Sequence, residues 1–322
     1  MDQIISTILI GLIGLIFLFI ILKWPYLGIA ITGASLAIVD LLPEVPYLSS
    51  AVPLVGFVTF VGYLIQKRWG TKNNKFTFNN LHIIGMAFIF WIFISNPQAA
   101  WMGTRRNWVL TFFQLWVLMY MADELLDTTQ RQQAVMVVFS IFAIISSFYA
   151  LQTGSIGETI DTSIRAEGFV DNANAAARYF VVAMVFLTYL NSVSRKPWQK
   201  FFTLIGIIVT YLGVFYTLSR TGMLLLVIAQ GLILIFQGKT KQRIILIVIF
   251  TISLIILILI SSSIISIFES ILPTVVNRED TFGLRINLWK SGWMMWLDHP
   301  FRGVGIGRYI EELGPYMFRL EG

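Results

Sequence analysis

The stretch VFYTLSRTGMLLLVIA, residues 214–229, places one arginine, Arg220, in a polar turn of a few residues with apolar sequence on both sides. A helix rising 1.5 Å per residue needs about 20 apolar residues to cross a hydrocarbon layer of roughly 30 Å. Read outward from Arg220, runs of that kind recur at 4–22, 26–42, 48–66, 81–95, 107–122, 134–151, 173–191, 201–218, 221–236 and 244–264. The fourth and ninth are short. The expected fold class is all-α: a polytopic transmembrane helical protein of about ten spans, followed by an extracytoplasmic loop with an interfacial helix. The composition agrees: 57% of the 322 residues are hydrophobic and 12% charged, with mean hydropathy +0.78, which excludes an ordinary soluble domain.

After Ser263 the chain turns mixed in composition, with charges, Pro273, a Trp cluster and several glycines. Two regions are expected: a transmembrane domain over 1–264 and an extracytoplasmic segment over 265–322. The first span does not read as a cleaved signal peptide, because Asp2 replaces a basic start and GLIFLFIILKWPY offers no small-residue cleavage site. There is no cysteine, so disulfides and thiolate metal sites are impossible, and the two histidines are far apart. No metal, cofactor or nucleic-acid partner is expected, and no transporter-like internal repeat is visible.

Lysine and arginine in the short loops orient the chain. Alternating the spans puts Lys23, QKRWGTKNNK (66–75), ADELLDTTQRQQ (122–133), SRKPWQK (194–200) and QGKTKQR (237–243) on the cytoplasmic side. The amino terminus, LPEVPY (42–47), NPQAAWMGTRRN (96–107), QTGSIGETIDTSIRAEGFVDNAN (152–174), the SRTG turn and everything after Ser263 then face outward. The basic residues differ in kind between the sides. The twelve inside are mostly lysine, whereas the eleven outside are Arg105, Arg106, Arg165, Arg178, Arg220, Arg278, Arg285, Lys290, Arg302, Arg308 and Arg319. Lysine suffices as a topological charge, but a guanidinium matches phosphate or carboxylate oxygens in pairs. The outer face reads as built to hold an anion.

Arg105 and Arg106 border the interface, and Arg278, Arg308 and Arg319 lie among acidic residues, so those five read as anchors or solvated charge. Arg220 is held by a short turn at the mouth of two helices. In SIRAEGFVDNANAAAR (163–178), Asp171 or Asn172 suits the N-cap of a helix starting at Ala173, and Arg165 stands just upstream of that terminus. In GLRINLWKSGWMMWLDHPFRGVGIGRY (283–309), Trp289, Trp293 and Trp296 share a helical face with Arg285, as suits an interfacial helix, and Pro300 ends it. Gly303, Gly305 and Gly307 lack the βαβ setting of a dinucleotide site and predict a tight turn beside Arg302.

RAEGFVDNANAAA (165–177), LSRTGMLLL (218–226) and above all LRINLWKSGWMMWLDHPFRGVGIGRY (284–309) resemble, in that order, the signature blocks of the bacterial O-antigen ligase and O-antigen or exopolysaccharide polymerase superfamily. The resemblance covers roughly residues 160–310. It implies an inner-membrane, metal-independent glycosyltransferase acting on a glycan linked to undecaprenyl pyrophosphate, with a glycan or lipid acceptor and membrane lipids as partners. An acceptor hydroxyl attacks the anomeric carbon and lipid pyrophosphate departs. The resemblance assigns pyrophosphate binding to Arg165, Arg220, Arg285 and Arg302.

The family pattern also implies a histidine beyond the Gly-rich block and further transmembrane helices, and this chain reaches Gly322 before either, so it is expected to be incomplete. His299 is the candidate catalytic residue inside the chain, although it belongs to a different motif and suits a helix end in LDHP. His82, at the cytoplasmic end of a span, is not a candidate. Two other classes stay open: an anion or lipid-linked-oligosaccharide transporter, which would place polar residues near the midplane of broken spans, and a noncatalytic scaffold, which predicts no arginine bias.

Overall fold

The computed structural model describes residues 14–35, 52–69, 76–95, 104–154, 167–170, 172–236, 247, 251–252, 255 and 281–319. Arg165, Asp171, Arg278 and nearly all of the expected tenth span lie outside them. Eleven helices run through the described residues: α1 Gly14–Lys23, α2 Pro25–Ser35, α3 Val52–Trp69, α4 Asn80–Ser95, α5 Thr104–Leu125, α6 Thr129–Thr153, α7 Ala173–Val193, α8 Pro197–Tyr216, α9 Arg220–Phe236, α10 Thr281–Asp298 and α11 Leu313–Arg319. No strand occurs among them.

The helix limits follow from local chemistry. Pro25 and Pro197 stand at the first turn of α2 and α8, where a missing N–H costs nothing. Thr128 caps α6 by accepting from Arg131 N, and Asn172 caps α7 by accepting from Asn174 N and Ala175 N. By length and composition α6, α7 and α8 can each cross a membrane, while α1, α4 and α9 are apolar but shorter. Among the described residues, three helices thus meet the length and composition of a span, and the others are neither shown nor excluded as spans. At 16 residues α4 extends about 24 Å, short of a hydrocarbon core, and α5 and α3 carry charge near an end.

The chain forms two compact units, each discontinuous in sequence: residues 1–73 with 122–264, and residues 74–121 with 265–322. In the first, α7 packs on α6, α8 and α9, and α2 packs on α3 and α6. Its core is Ala150, Ala176, Phe180, Val181, Met184, Val214, Met223 and Leu226. Small residues let these helices approach closely, as packing between apolar helices in lipid requires. A Cβ on Gly213 would lie 2.0 Å from Ser147 Oγ, and Ser147 in turn donates a 2.8 Å hydrogen bond to Val209 O across α6 and α8.

One end of this unit collects charge in pairs. Lys67 Nζ lies 2.6 Å from Glu124 Oε2, which also accepts a 2.8 Å bond from Tyr63. Arg131 reaches Asp127 at 2.9 Å and Leu125 O at 3.1 Å, and lies over the Tyr26 ring. Lys67 and Arg131 thus do more than mark a side of the membrane: the acidic residues of ADELLD neutralise them.

In the second unit, Ile306 packs against Ile92 and Val109, close to the ends of α4 and α5 that lead into residues 96–103. The glycine-rich turn therefore lies against α4 and α5. His82 is buried among Phe78, Trp116 and Tyr120, its carbonyl accepting from Trp116 Nε1 at 2.9 Å. On α10, Ser291 and Met295 are buried, whereas Trp289, Trp293 and Trp296 are 70%, 61% and 50% exposed, so the tryptophan face turns away from the unit.

Candidate functional site

In the first unit the starts of α7 and α9 meet through Asn174 and Ser219. Thr217 and Leu218 turn the chain out of α8, and Leu218 has φ +49, a conformation rare for a branched side chain. Ser219 is fully buried in that turn. Its Oγ accepts from Gly222 N at 3.0 Å, capping α9, and donates to Asn174 Oδ1 at 2.6 Å. One hydroxyl therefore starts α9 and ties it to the first turn of α7. The tie needs close helices: a Cβ on Gly222 would lie 2.3 Å from Ala177 Cβ.

The segment before α7 is fixed to α6. Gly168 has φ +65, and a Cβ there would lie 2.6 Å from Ser146 Oγ, which accepts from Phe169 N at 3.2 Å. The Phe169 ring stacks on Tyr149, with centroids 4.2 Å apart. On this scaffold Arg220 is the first residue of α9 and is exposed, with no hydrogen bond or ion pair among the described residues. Arg178, one turn beyond Asn174, is also exposed and donates from Nε to Asn174 O at 3.1 Å. Asn172 is the cap expected of the pair Asp171 and Asn172.

Arg285 and Arg302 belong to the second unit and are exposed, the first on α10 and the second in the turn after it. Gly303, Gly305 and Gly307 all have positive φ, from +63 to +97, so this turn needs glycine for its backbone rather than for a nucleotide. It is held to α10 by Tyr309, whose hydroxyl donates to Leu288 O and whose phenol burial pushes above the usual tyrosine range. Arg308 pairs with Glu311 at 3.8 Å and with Glu312. His299 ends α10, its amide bonded to Met295 O at 3.0 Å and its carbonyl to Gly303 N at 2.9 Å, with its side chain exposed.

Residues 204–321 match the family model described as O-antigen ligase. This segment is similar to O-antigen ligase domains. It covers just over a third of the chain and holds Ser219, Arg220, Arg285, His299 and Arg302, while Asn174 and Arg178 stand before it. The domain points to a membrane ligase or polymerase of glycans, with lipid-linked glycan and acceptor as its general substrate classes. No curated protein and no solved structure matches the chain.

Sequence reading missed the parts played by Asn174, Ser219 and Arg178. Asn174 and Ser219 are 45 residues apart, and no periodicity predicts that they touch. Arg178 stood among the outward arginines with nothing to separate it from those in solvated loops. A charge one and a half turns inside an apolar helix was the available signal.

Proposed function

We propose that the chain is a multi-pass glycosyltransferase of a bacterial inner membrane, with about ten spans over 1–264 and an extracytoplasmic segment over 265–322. It transfers a glycan from undecaprenyl pyrophosphate to an acceptor hydroxyl on the outer face, without metal. The observation that carries this reading is Arg220: an exposed guanidinium, without an ion pair among the described residues, at the first turn of an apolar helix, held by a buried cap inside a segment similar to O-antigen ligase domains.

The acceptor oxygen bonds to the anomeric carbon as the bond from that carbon to the pyrophosphate oxygen breaks. The leaving pyrophosphate gains negative charge, so groups already fixed around it stabilise the transition state more than the ground state. Arg220 meets that need with a fork that matches two phosphate oxygens, aided by the free amides at the start of α9. Arg165, Arg285 and Arg302 are proposed as further pyrophosphate ligands. The acceptor proton needs a base, and His299, exposed at the end of α10, is the candidate. The tryptophan face of α10 is proposed to sit in the outer interface, at the depth of the donor's phosphates.

The test is Arg220→Lys, compared at matched membrane levels with Arg220→Ala in donor binding and glycan transfer. Lysine keeps the charge but cannot reproduce a paired contact, so each variant should lose roughly tenfold or more in donor affinity. A lysine variant that binds donor as the parent does would make Arg220 a headgroup anchor and remove the basis of this reading.

A further inference from the structure

Arg178 has no role in the reading above, yet its setting resembles that of Arg220. The sixth residue of α7 lies about 8 Å from the helix start, inside a helix apolar enough to cross a membrane. A charge at that depth is costly without a partner. Among the described residues no carboxylate pairs with it. Of the described acidic residues in this unit, Glu124 and Asp127 are engaged with Lys67 and Arg131, and Asp123 belongs to the same acidic run at the far end of α6. Glu167, on the near side, makes no ion pair among the described residues.

The Arg178 side chain runs back along α7, because its Nε is bonded to Asn174 O. Asn174 is also the residue whose amide oxygen holds Ser219, the neighbour of Arg220. The helices that carry the two arginines touch at Ala177 and Gly222, each within two residues of one of them. Arg178 is thus bonded to the same asparagine whose side chain holds the residue before Arg220, where α7 and α9 meet. Bringing like charges together opposes folding unless a third, negative group sits with them. With Nε committed to the backbone, the Arg178 terminal nitrogens stay available as donors toward that group.

We propose that Arg178 and Arg220 form one phosphate-binding pair, with Asn174 and Ser219 as its positioning residues. The ligand class is a pyrophosphate or phosphate monoester at the membrane surface. This inference rests on the reading of Arg220 as a pyrophosphate ligand and adds a second ligand to it.

The test uses the full chain in nanodiscs of zwitterionic lipid, titrated calorimetrically with inorganic pyrophosphate and with geranyl pyrophosphate. The variants are Arg178→Lys, Arg178→Gln, Arg220→Lys, the double lysine variant, and Arg195→Gln, which removes an exposed arginine at the other end of α7. Melting temperature is followed for each, and a variant that melts more than a few degrees below the parent is replaced by its Lys counterpart. Each single change at 178 or 220 should weaken both probes roughly tenfold or more, and the double should lose less than the product of the two. Arg195→Gln should bind as the parent does.

If Arg220→Lys weakens binding and both Arg178 variants do not, the pair is overturned while the reading of Arg220 stands. If Arg220→Lys binds normally, or the parent binds neither probe, the reading of Arg220 falls and the pair with it. An equal loss in Arg195→Gln would show an effect of net charge and overturn the pair. Loss for geranyl pyrophosphate without loss for inorganic pyrophosphate would place the lipid, not the phosphates, at Arg178 and overturn it as well.

Discussion

Ser219 donates a 2.6 Å hydrogen bond to Asn174 Oδ1 while accepting from Gly222 N, so one buried hydroxyl both caps α9 and joins it to α7. A cap removed to alanine costs about 1 kcal/mol, and a buried interhelical bond adds a similar amount. Ser219→Ala should therefore lower stability by roughly 2 kcal/mol, read as a fall in melting temperature in detergent. It should also weaken pyrophosphate binding, because Arg220 loses its fixed starting point. A variant that melts and binds as the parent does would mean that the turn is held by its backbone alone.

The charged end of the same unit makes a different demand. Lys67 and Glu124 have side chains only 10% and 18% exposed, so removing one partner leaves the other poorly solvated. Glu124→Gln should cost about 3 kcal/mol, by the usual cost of breaking a buried pair. The double change Lys67→Met, Glu124→Leu should cost less than the single one, since it removes both desolvation penalties. Thermal melts of the three proteins check this, and a double variant weaker than Glu124→Gln would show that the pair contributes net stability.

What could be read from the sequence was what repeats locally. The apolar run at 173–191 became α7 at Ala173–Val193, and the run at 221–236 became α9 at Arg220–Phe236, because the polar caps Asn172 and Ser219 mark their starts. The shared helical face of Trp289, Trp293 and Trp296 was equally local, and all three are exposed. Contacts distant in sequence were not legible. The spacing of 45 residues between Asn174 and Ser219, or the approach of Gly213 to Ser147, depends on which helices become neighbours, and hydropathy says nothing about that in a chain apolar on nearly every face. The interleaving of residues 74–121 with 265–322 in one unit was hidden for the same reason. The lysine and arginine asymmetry marked a candidate side but could not tell Arg178 from Arg308, which pairs with Glu312.

Gln230 is 2% exposed in the middle of α9, and neither atom of its amide has a hydrogen-bond partner among the described residues. An unsatisfied buried amide costs roughly 1 to 3 kcal/mol, and a methionine of similar shape carries no such cost. Gln230→Met should raise the melting temperature while leaving pyrophosphate binding unchanged, since Gln230 lies ten residues along α9 from Arg220. A drop in stability would mean that the amide is satisfied in the membrane by a water or by a segment outside the described residues.

The two ends of α6 decide the sidedness on which the functional reading depends. Gln130 and Gln152 are exposed near opposite ends of one helix, separated by about 33 Å at 1.5 Å per residue, enough to reach across a bilayer core. The Gln130 end carries Arg131 and lies beside the Lys67 pair, whereas the Gln152 end leads toward Gly168, Asn174 and Arg220. Because the chain has no cysteine, Gln130→Cys and Gln152→Cys each report a single position without background. The positive-inside rule predicts a cytoplasmic Arg131 end. An impermeant maleimide added to intact cells should label residue 152 and spare 130, and inverted vesicles should show the reverse. Labelling of 130 in intact cells would turn Arg178 and Arg220 toward the cytoplasm. It would separate them from any acceptor on the outer face and end the proposal of transfer there, even if both arginines bind pyrophosphate.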